Sequence, residues 1–266
     1  MLQPLNLLEL KSEFLRAKPF PYIKIDNFLK PEFASEVADA FPQFEEALTQ
    51  GKTFNSVNEK KKVQITDSRK FPSAIARLNE LLASHEFLAD LSYVSGMPDL
   101  IADDELVGGG MHITGPGGRL DVHIDFNYLK ERKLHRRLNI LVYLNRKWDP
   151  KWGGDLQLWD REVKNCEAAF APIFNRCVVF ETSNISYHGV VPVAREAPFP
   201  RQSFAAYYYT REAPPFWTGE EHSTIFKARP EEKAKGMFFM PMAAVRRNVE
   251  STLRTLKHSV RTLLGR

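Results

Sequence analysis

Leu120-Asp121-Val122-His123-Ile124-Asp125-Phe126 alternates apolar and polar side chains, the pattern of a strand with one face buried. A period of two turns His123 and Asp125 to the same side. Working outward, the character of the chain changes after Gly108-Gly109-Gly110. From there to Thr210 short β-like runs follow one another: Leu138 to Leu144, Asp155 to Trp159, Cys177 to Glu181, Gly189 to Val193 and Gln202 to Thr210. Gly115-Pro116-Gly117-Gly118 and Gly153-Gly154 read as turns between them. Many short strands with such punctuation predict a sandwich or barrel, the jelly-roll type included.

Upstream the periodicity is helical. Residues 1 to 18 read as an amphipathic helix, Phe20 to Ile25 as a strand broken by Asp26 and Asn27, and Pro31 to Ala40 as a helix. The polar run around Lys60-Lys61-Lys62 reads as a loop or mobile edge on a solvated surface. Ile75, Leu78, Leu81, Leu82, Phe87, Leu88 and Leu91 recur at helical spacing and predict one or two helices from Phe71 to about Val94. Downstream, Met242, Val245, Val249, Leu253, Leu256, Val260 and Leu263 form an apolar stripe opposite Arg246, Arg247, Arg254, Lys257 and Arg261. Such a basic amphipathic helix can pack on its own core or a second subunit, or lie on an anionic membrane. The fold class expected is α+β, as one structural domain in three segments: an N-terminal helical and strand extension (1–107), the β-core (108–210) and a C-terminal extension (211–266).

Composition narrows the function classes. The 266 residues are 43% hydrophobic and 26% charged with a net charge of +4, ordinary for a globular protein and too weakly basic to argue for nucleic acid. Two cysteines exclude a disulfide framework or a cysteine-rich zinc module. No apolar run reaches the length of a signal peptide core or a membrane span, so a reducing, cytoplasmic location is expected.

With seven histidines and twelve aspartates in the chain, about 0.3 His-x-Asp triplets are expected by chance, so the triplet alone is weak. His188 strengthens it, standing between a polar turn and an apolar strand. Two imidazoles and one carboxylate with open coordination positions suit a non-haem iron(II) oxygenase.

The motifs His123-Ile-Asp125-Phe-Asn, Arg137-Leu-Asn-Ile-Leu-Val-Tyr143-Leu-Asn145, Trp148-Asp149 with Gly153-Gly154-Asp-Leu, Tyr187-His188-Gly189-Val and Arg201-Gln-Ser203 occur in an order and spacing that resemble the prolyl 4-hydroxylase-like branch of the iron(II)/2-oxoglutarate oxygenases. The resemblance implies a double-stranded β-helix with N-terminal helices. It implies His123, Asp125 and His188 as iron ligands, Arg201 on the far carboxylate of 2-oxoglutarate, and Ser203 and Tyr143 beside it. His112 stands near where relatives carry a tyrosine toward the near end of the cosubstrate. The cofactors implied are Fe(II), 2-oxoglutarate and O2, with ascorbate as a candidate reductant. The activity implied is hydroxylation of an unactivated C–H bond with succinate and CO2 as coproducts, on a prolyl residue of a protein or peptide. A free amino acid or other small metabolite is the alternative acceptor, and a cupin-like metal enzyme without 2-oxoglutarate or a metal-free binding module are the alternative classes.

Overall fold

The computed structural model describes residues 1–232 together with Met237 and Met240. Its helices are α1 (Leu7–Arg16), α2 (Pro31–Asp39), α3 (Phe44–Gln50), α4 (Ser73–Ala83) and α5 (His85–Ser95). Its strands are β1 (Tyr22–Ile25), β2 (Lys52–Phe54), β3 (Glu59–Ile65), β4 (Ile101–Ala102), β5 (Gly110–Ile124), β6 (Tyr128–Leu129) and β7 (Leu134–Tyr143), then β8 (Leu156–Trp159), β9 (Cys166–Phe170), β10 (Arg176–Glu181), β11 (His188–Val190), β12 (Arg201–Thr210) and β13 (Ile225–Phe226). Local chemistry sets several boundaries. Pro31, which has no N–H to leave unsatisfied, opens α2. The Ser84 hydroxyl accepts from Phe87 N at 3.3 Å, so the apolar run from Ser73 to Ser95 becomes two helices. Gly96, at φ +71°, ends the second.

The strands pair antiparallel in the order β1-β10-β7-β12-β5-β11-β8-β9, and the sheet curls into the half-barrel of a jelly roll. β5 holds the curl together. Its first half pairs with β12, Thr114 opposite Arg201, and its second half with β11, His123 opposite His188. Between the halves lies Gly115-Pro116-Gly117-Gly118, which was expected as a turn but lies within the continuous strand. Gly117 takes φ +80°, and a Cβ on Gly118 would stand 2.7 Å from Gly115 O, so only glycine lets the strand bend here without ending.

Alternation along β12 and β7 separates two interiors. Phe204, Ala206, Tyr208, Leu138, Ile140 and Val142 join the helices in the main core. Arg201, Ser203, Tyr207, Asn139 and Leu141 instead line a cavity of about 1050 Å³ inside the curl.

A further sequence expectation changes. The Lys60-Lys61-Lys62 stretch is not a loop but part of β3, hydrogen-bonded to β5. The reason is its other face: Val63 and Ile65 are buried in the helical core, which pins the strand and turns Lys62 and Gln64 toward the cavity. Helix α3 and strands β9 and β13 carry too short a pattern to have been expected. The stripe from Met242 to Leu263 lies outside the described residues. Among the described residues, no helix is long and apolar enough to cross a membrane.

Candidate active site

His123 and Asp125 sit at the end of β5, and His188 opens β11 directly across from His123. Gly189 makes that approach possible: a Cβ there would meet Val122 N and Cα at 3.0 Å. The two imidazole centroids are 4.3 Å apart. His123 Nε2 lies 3.5 Å from Asp125 Oδ1, and His188 Nε2 lies 3.5 Å from Asp125 Oδ2. One potential ligand atom from each residue falls within 4.8 Å of the others.

The tautomers are set by the backbone. His123 Nδ1 is 2.8 Å from Asp121 O, and His188 Nδ1 is 3.0 Å from Ser186 O. A carbonyl only accepts, so each Nδ1 carries the hydrogen and each Nε2 keeps its lone pair toward the other ring and Asp125. Burial, then the neighbouring His123, push His188 down to about 4, so it is neutral at neutral pH. Burial alone would raise Asp125, but the Arg136 guanidinium holds it well below the usual carboxylate range. Two imidazole nitrogen donors and one carboxylate, open toward the cavity, fit a divalent iron ion.

Arg201 lines the same cavity and is 4% exposed. Its Nε donates to Gly154 O at 2.7 Å and its Nη1 to Ser203 Oγ at 3.3 Å. Its Nη2 is buried with no hydrogen-bond partner among the described residues. A buried guanidinium nitrogen without an acceptor is costly, and a carboxylate is the group that matches its fork. Register places the neighbouring candidates in one row across three strands: Ser203 is opposite His112 on β5 and opposite Tyr143 on β7. Burial first pushes the Tyr143 phenol up to about 12, which keeps its hydroxyl a donor; that hydroxyl too has no partner among the described residues. Tyr143 is fully buried, with its ring 5.0 Å from the Arg201 guanidinium, and it stands behind the cavity wall rather than in it. His112 is in the wall, its Nε2 close to Gln64 Nε2 (2.8 Å) and Gly108 O (3.0 Å).

Sequence reasoning missed several side chains at the site. Arg136, buried, contacts Asp125 Oδ2 through Nη2 at 3.2 Å, and Asn139 Nδ2 donates to the same oxygen at 2.8 Å. Phe226 of β13 lies 5.3 Å from the His123 ring, and Lys227 N donates to Val122 O at 2.8 Å, so residues past Thr210 close one side. Tyr207 lies 3.6 Å under the Arg136 guanidinium and lines the cavity. His222 and His135 lie outside the metal-ligating cluster.

Residues 109–209 match the family model of the 2OG-Fe(II) oxygenase superfamily. No curated protein matches the chain. Among solved structures, a prolyl-4-hydroxylase from Pseudomonas putida is similar with a TM-score of 0.55 at 15% identity, over 76% of this chain and 99% of that one. A Trichoplax adhaerens prolyl hydroxylase, solved with a hypoxia inducible factor oxygen degradation domain peptide fragment, gives 0.54 at 20% identity over 76% and 90%. SnoK, an alpha-ketoglutarate-dependent carbocyclase from nogalamycin biosynthesis, gives 0.53 at 15% over 78% and 87%. These likenesses show a shared fold. Residues 109–209 thus carry the likeness to the 2OG-Fe(II) oxygenase superfamily, and that match with the His-Asp-His cluster supports an iron- and 2-oxoglutarate-dependent dioxygenase.

Proposed function

We propose that the chain hydroxylates an unactivated C–H bond of its acceptor, with succinate and CO2 as coproducts, and that His123, Asp125 and His188 hold the iron. The observation that carries this reading is Arg201: a buried guanidinium whose Nη2 has no partner among the described residues lines the same cavity as the triad. It would take the far carboxylate of 2-oxoglutarate, with the Ser203 hydroxyl and His112 in the adjacent wall and the Tyr143 hydroxyl behind Arg201. A cupin-like enzyme without 2-oxoglutarate would have no use for that cation.

When bound, iron and 2-oxoglutarate supply the oxidising chemistry that inserts one oxygen atom into a C–H bond. The chain's part is to bind, orient and exclude water. The two histidines present lone pairs fixed by Asp121 O and Ser186 O, Asp125 would add one carboxylate oxygen as the third ligand, and Phe180 and Phe226 cover the His188 and His123 rings at 4.7 and 5.3 Å.

For the acceptor we favour a prolyl residue of a protein or peptide, supported by the likeness of fold to prolyl hydroxylases; a free amino acid or other small metabolite is the second reading, supported by SnoK sharing that fold. Asn58 bears on either, since it lines the cavity and neither of its buried amide atoms has a partner among the described residues. We assign residues 1–107, 108–210 and 211–266 to one structural domain, without a nucleic-acid partner, in a reducing cytoplasmic setting consistent with two free cysteines. The test is a screen of prolyl peptides, free amino acids and small metabolites for acceptor-dependent succinate release, with mass spectrometry for a gain of one oxygen. Succinate without a gain of oxygen in any acceptor would sink hydroxylation, and oxidation without 2-oxoglutarate consumption would sink the cosubstrate assignment.

A further inference from the structure

Asp125 has two oxygens, and nearness to the imidazoles does not choose between them, since each lies 3.5 Å from one Nε2. Hydrogen bonding does choose. Oδ2 accepts from Asn139 Nδ2 at 2.8 Å and faces Arg136 Nη2 at 3.2 Å. The two donors are themselves joined, because Arg136 Nε and Nη2 both reach Asn139 Oδ1, at 3.0 and 2.8 Å. The result is a closed triangle of carboxylate, carboxamide and guanidinium. The guanidinium is held flat as well, 3.6 Å from the Tyr207 ring centroid and 4.6 Å from that of Phe126, with its side chain 1% exposed.

A β-bulge builds this arrangement. Along β7, Tyr208 is opposite Leu138 but Tyr209 is opposite Arg136, so one residue, Arg137, is passed over. Strict alternation would send Arg136 and Asn139 to opposite faces. The bulge brings both to Asp125 and sends Arg137 out to Thr210 Oγ1 at 3.1 Å.

We infer that Arg136 and Asn139 are positioning residues that commit Asp125 Oδ2 to the protein, leave Oδ1 as the metal-ligating oxygen, and weaken the carboxylate as a charge donor to the metal. This rests on the proposed iron site. A carboxylate oxygen already accepting an N–H bond and paired with a cation has less electron density to share, and its rotation about Cβ–Cγ is opposed. Buried Arg136 also cancels the charge of Asp125, so a divalent ion here keeps an electrostatic pull on an incoming dicarboxylate.

The experiment measures Fe(II) affinity of the full chain anaerobically, by competition with a chromogenic chelator. It also records the visible charge-transfer band that 2-oxoglutarate produces on the Fe(II)-loaded protein. The variants are Asn139→Ala, Arg136→Met and Arg136→Lys, each checked by circular dichroism. Asn139→Ala should weaken Fe(II) binding by about 10–100-fold, the usual cost of losing an outer partner of a metal ligand. Arg136→Met should move the band to lower energy because the carboxylate then gives more charge to the iron, and Arg136→Lys should restore its position by restoring the charge. A loss of packing alone would move neither the band nor its rescue. An Asn139→Ala affinity within about threefold of the unmodified protein overturns the hold, and an unmoved band in Arg136→Met overturns the charge effect. Should Arg136→Met fail to fold, a band shifted in Arg136→Lys as far as in Asn139→Ala overturns the charge effect instead. Absence of Fe(II) binding in the unmodified protein would strike the iron site itself, whereas equal binding in all variants strikes only this inference.

Discussion

Arg201 and His112 stand two register positions apart and differ in character: one is a buried cation kept for a guest, the other a buried base kept neutral. Removing one partner of a buried, hydrogen-bonded charge pair costs about 2–5 kcal/mol. Arg201→Ala should therefore weaken 2-oxoglutarate by at least roughly 25-fold in a titration of succinate formation, with Fe(II) affinity little changed. Arg201→Lys should recover only part, since a lysine keeps the charge and lacks the fork. An unchanged midpoint in Arg201→Ala would make the arginine structural. For His112, burial first and then the Lys62 charge push the imidazole down to about 3, against an ordinary 6.5. As pH falls below 6.5, the unfolded chain takes up a proton that the folded chain refuses until about 3. Stability contributed by the neutral ring is thus complete above 6.5 and is lost through that window. Urea midpoints of the metal-free protein should show His112→Gln losing about one proton of this acid dependence, and parallel curves would refute the assignment. At this scale the convergence of His123, Asp125, His188 and Arg201 on one cavity was legible because each stands on or just beside a strand. Arg136 and Asn139 were not, because the β-bulge that unites them reverses the parity on which sequence reading depends.

Strands and helices were readable where their pattern was long. The helices Ser73–Ala83 and His85–Ser95 follow the apolar spacing seen in the sequence, and β7, β10 and β12 fall on the predicted runs. The Lys60-Lys61-Lys62 run defeated the reading because its charges report only the cavity and solvent sides, while Val63 and Ile65 alone anchor the strand. Gly115 to Gly118 defeated it because a bend and a turn share the same residues. One glycine does more for chemistry than for folding. At Gly189 a Cβ would lie 3.0 Å from backbone atoms of Val122, which cannot swing aside as a side chain can. Gly189→Ala should push β11 from β5 and separate His188 from His123. Overpacking of this kind costs about 1–3 kcal/mol. Iron occupancy should fall more than the loss of stability explains, since misplacement of about 1 Å is enough to spoil a constellation. Full occupancy and full activity at an unchanged Tm would show that the strands yield.

Across the molecule, the family-matched segment 109–209 supplies the ligands, but the cavity also takes walls from residues 52–64 and 223–228. Ligand binding should consequently stabilise the whole fold. A metal at a hundred times its Kd adds about 2.7 kcal/mol, which for a domain of this size is a rise in Tm of roughly 5–10 °C. Mn(II), inert to O2 turnover, should give such a rise, 2-oxoglutarate should add to it only in the metal's presence, and His188→Ala should abolish both. A rise that persists in His188→Ala would place the metal elsewhere.

The two pieces that share the outer edge of β5 have different birth dates. The β3 segment is synthesised before β5, and it can cover residues 111–120 as they emerge. His123 and Ile124 must wait for Phe226 and Ile225, about a hundred residues later. At roughly 5–20 residues per second, the ribosome leaves that stretch uncovered for on the order of 5–20 s. During those seconds the nascent chain presents open backbone N–H and C=O groups beside half-assembled metal ligands, and this is the stretch at which a chaperone, a wrong strand or a stray metal ion has its best opportunity.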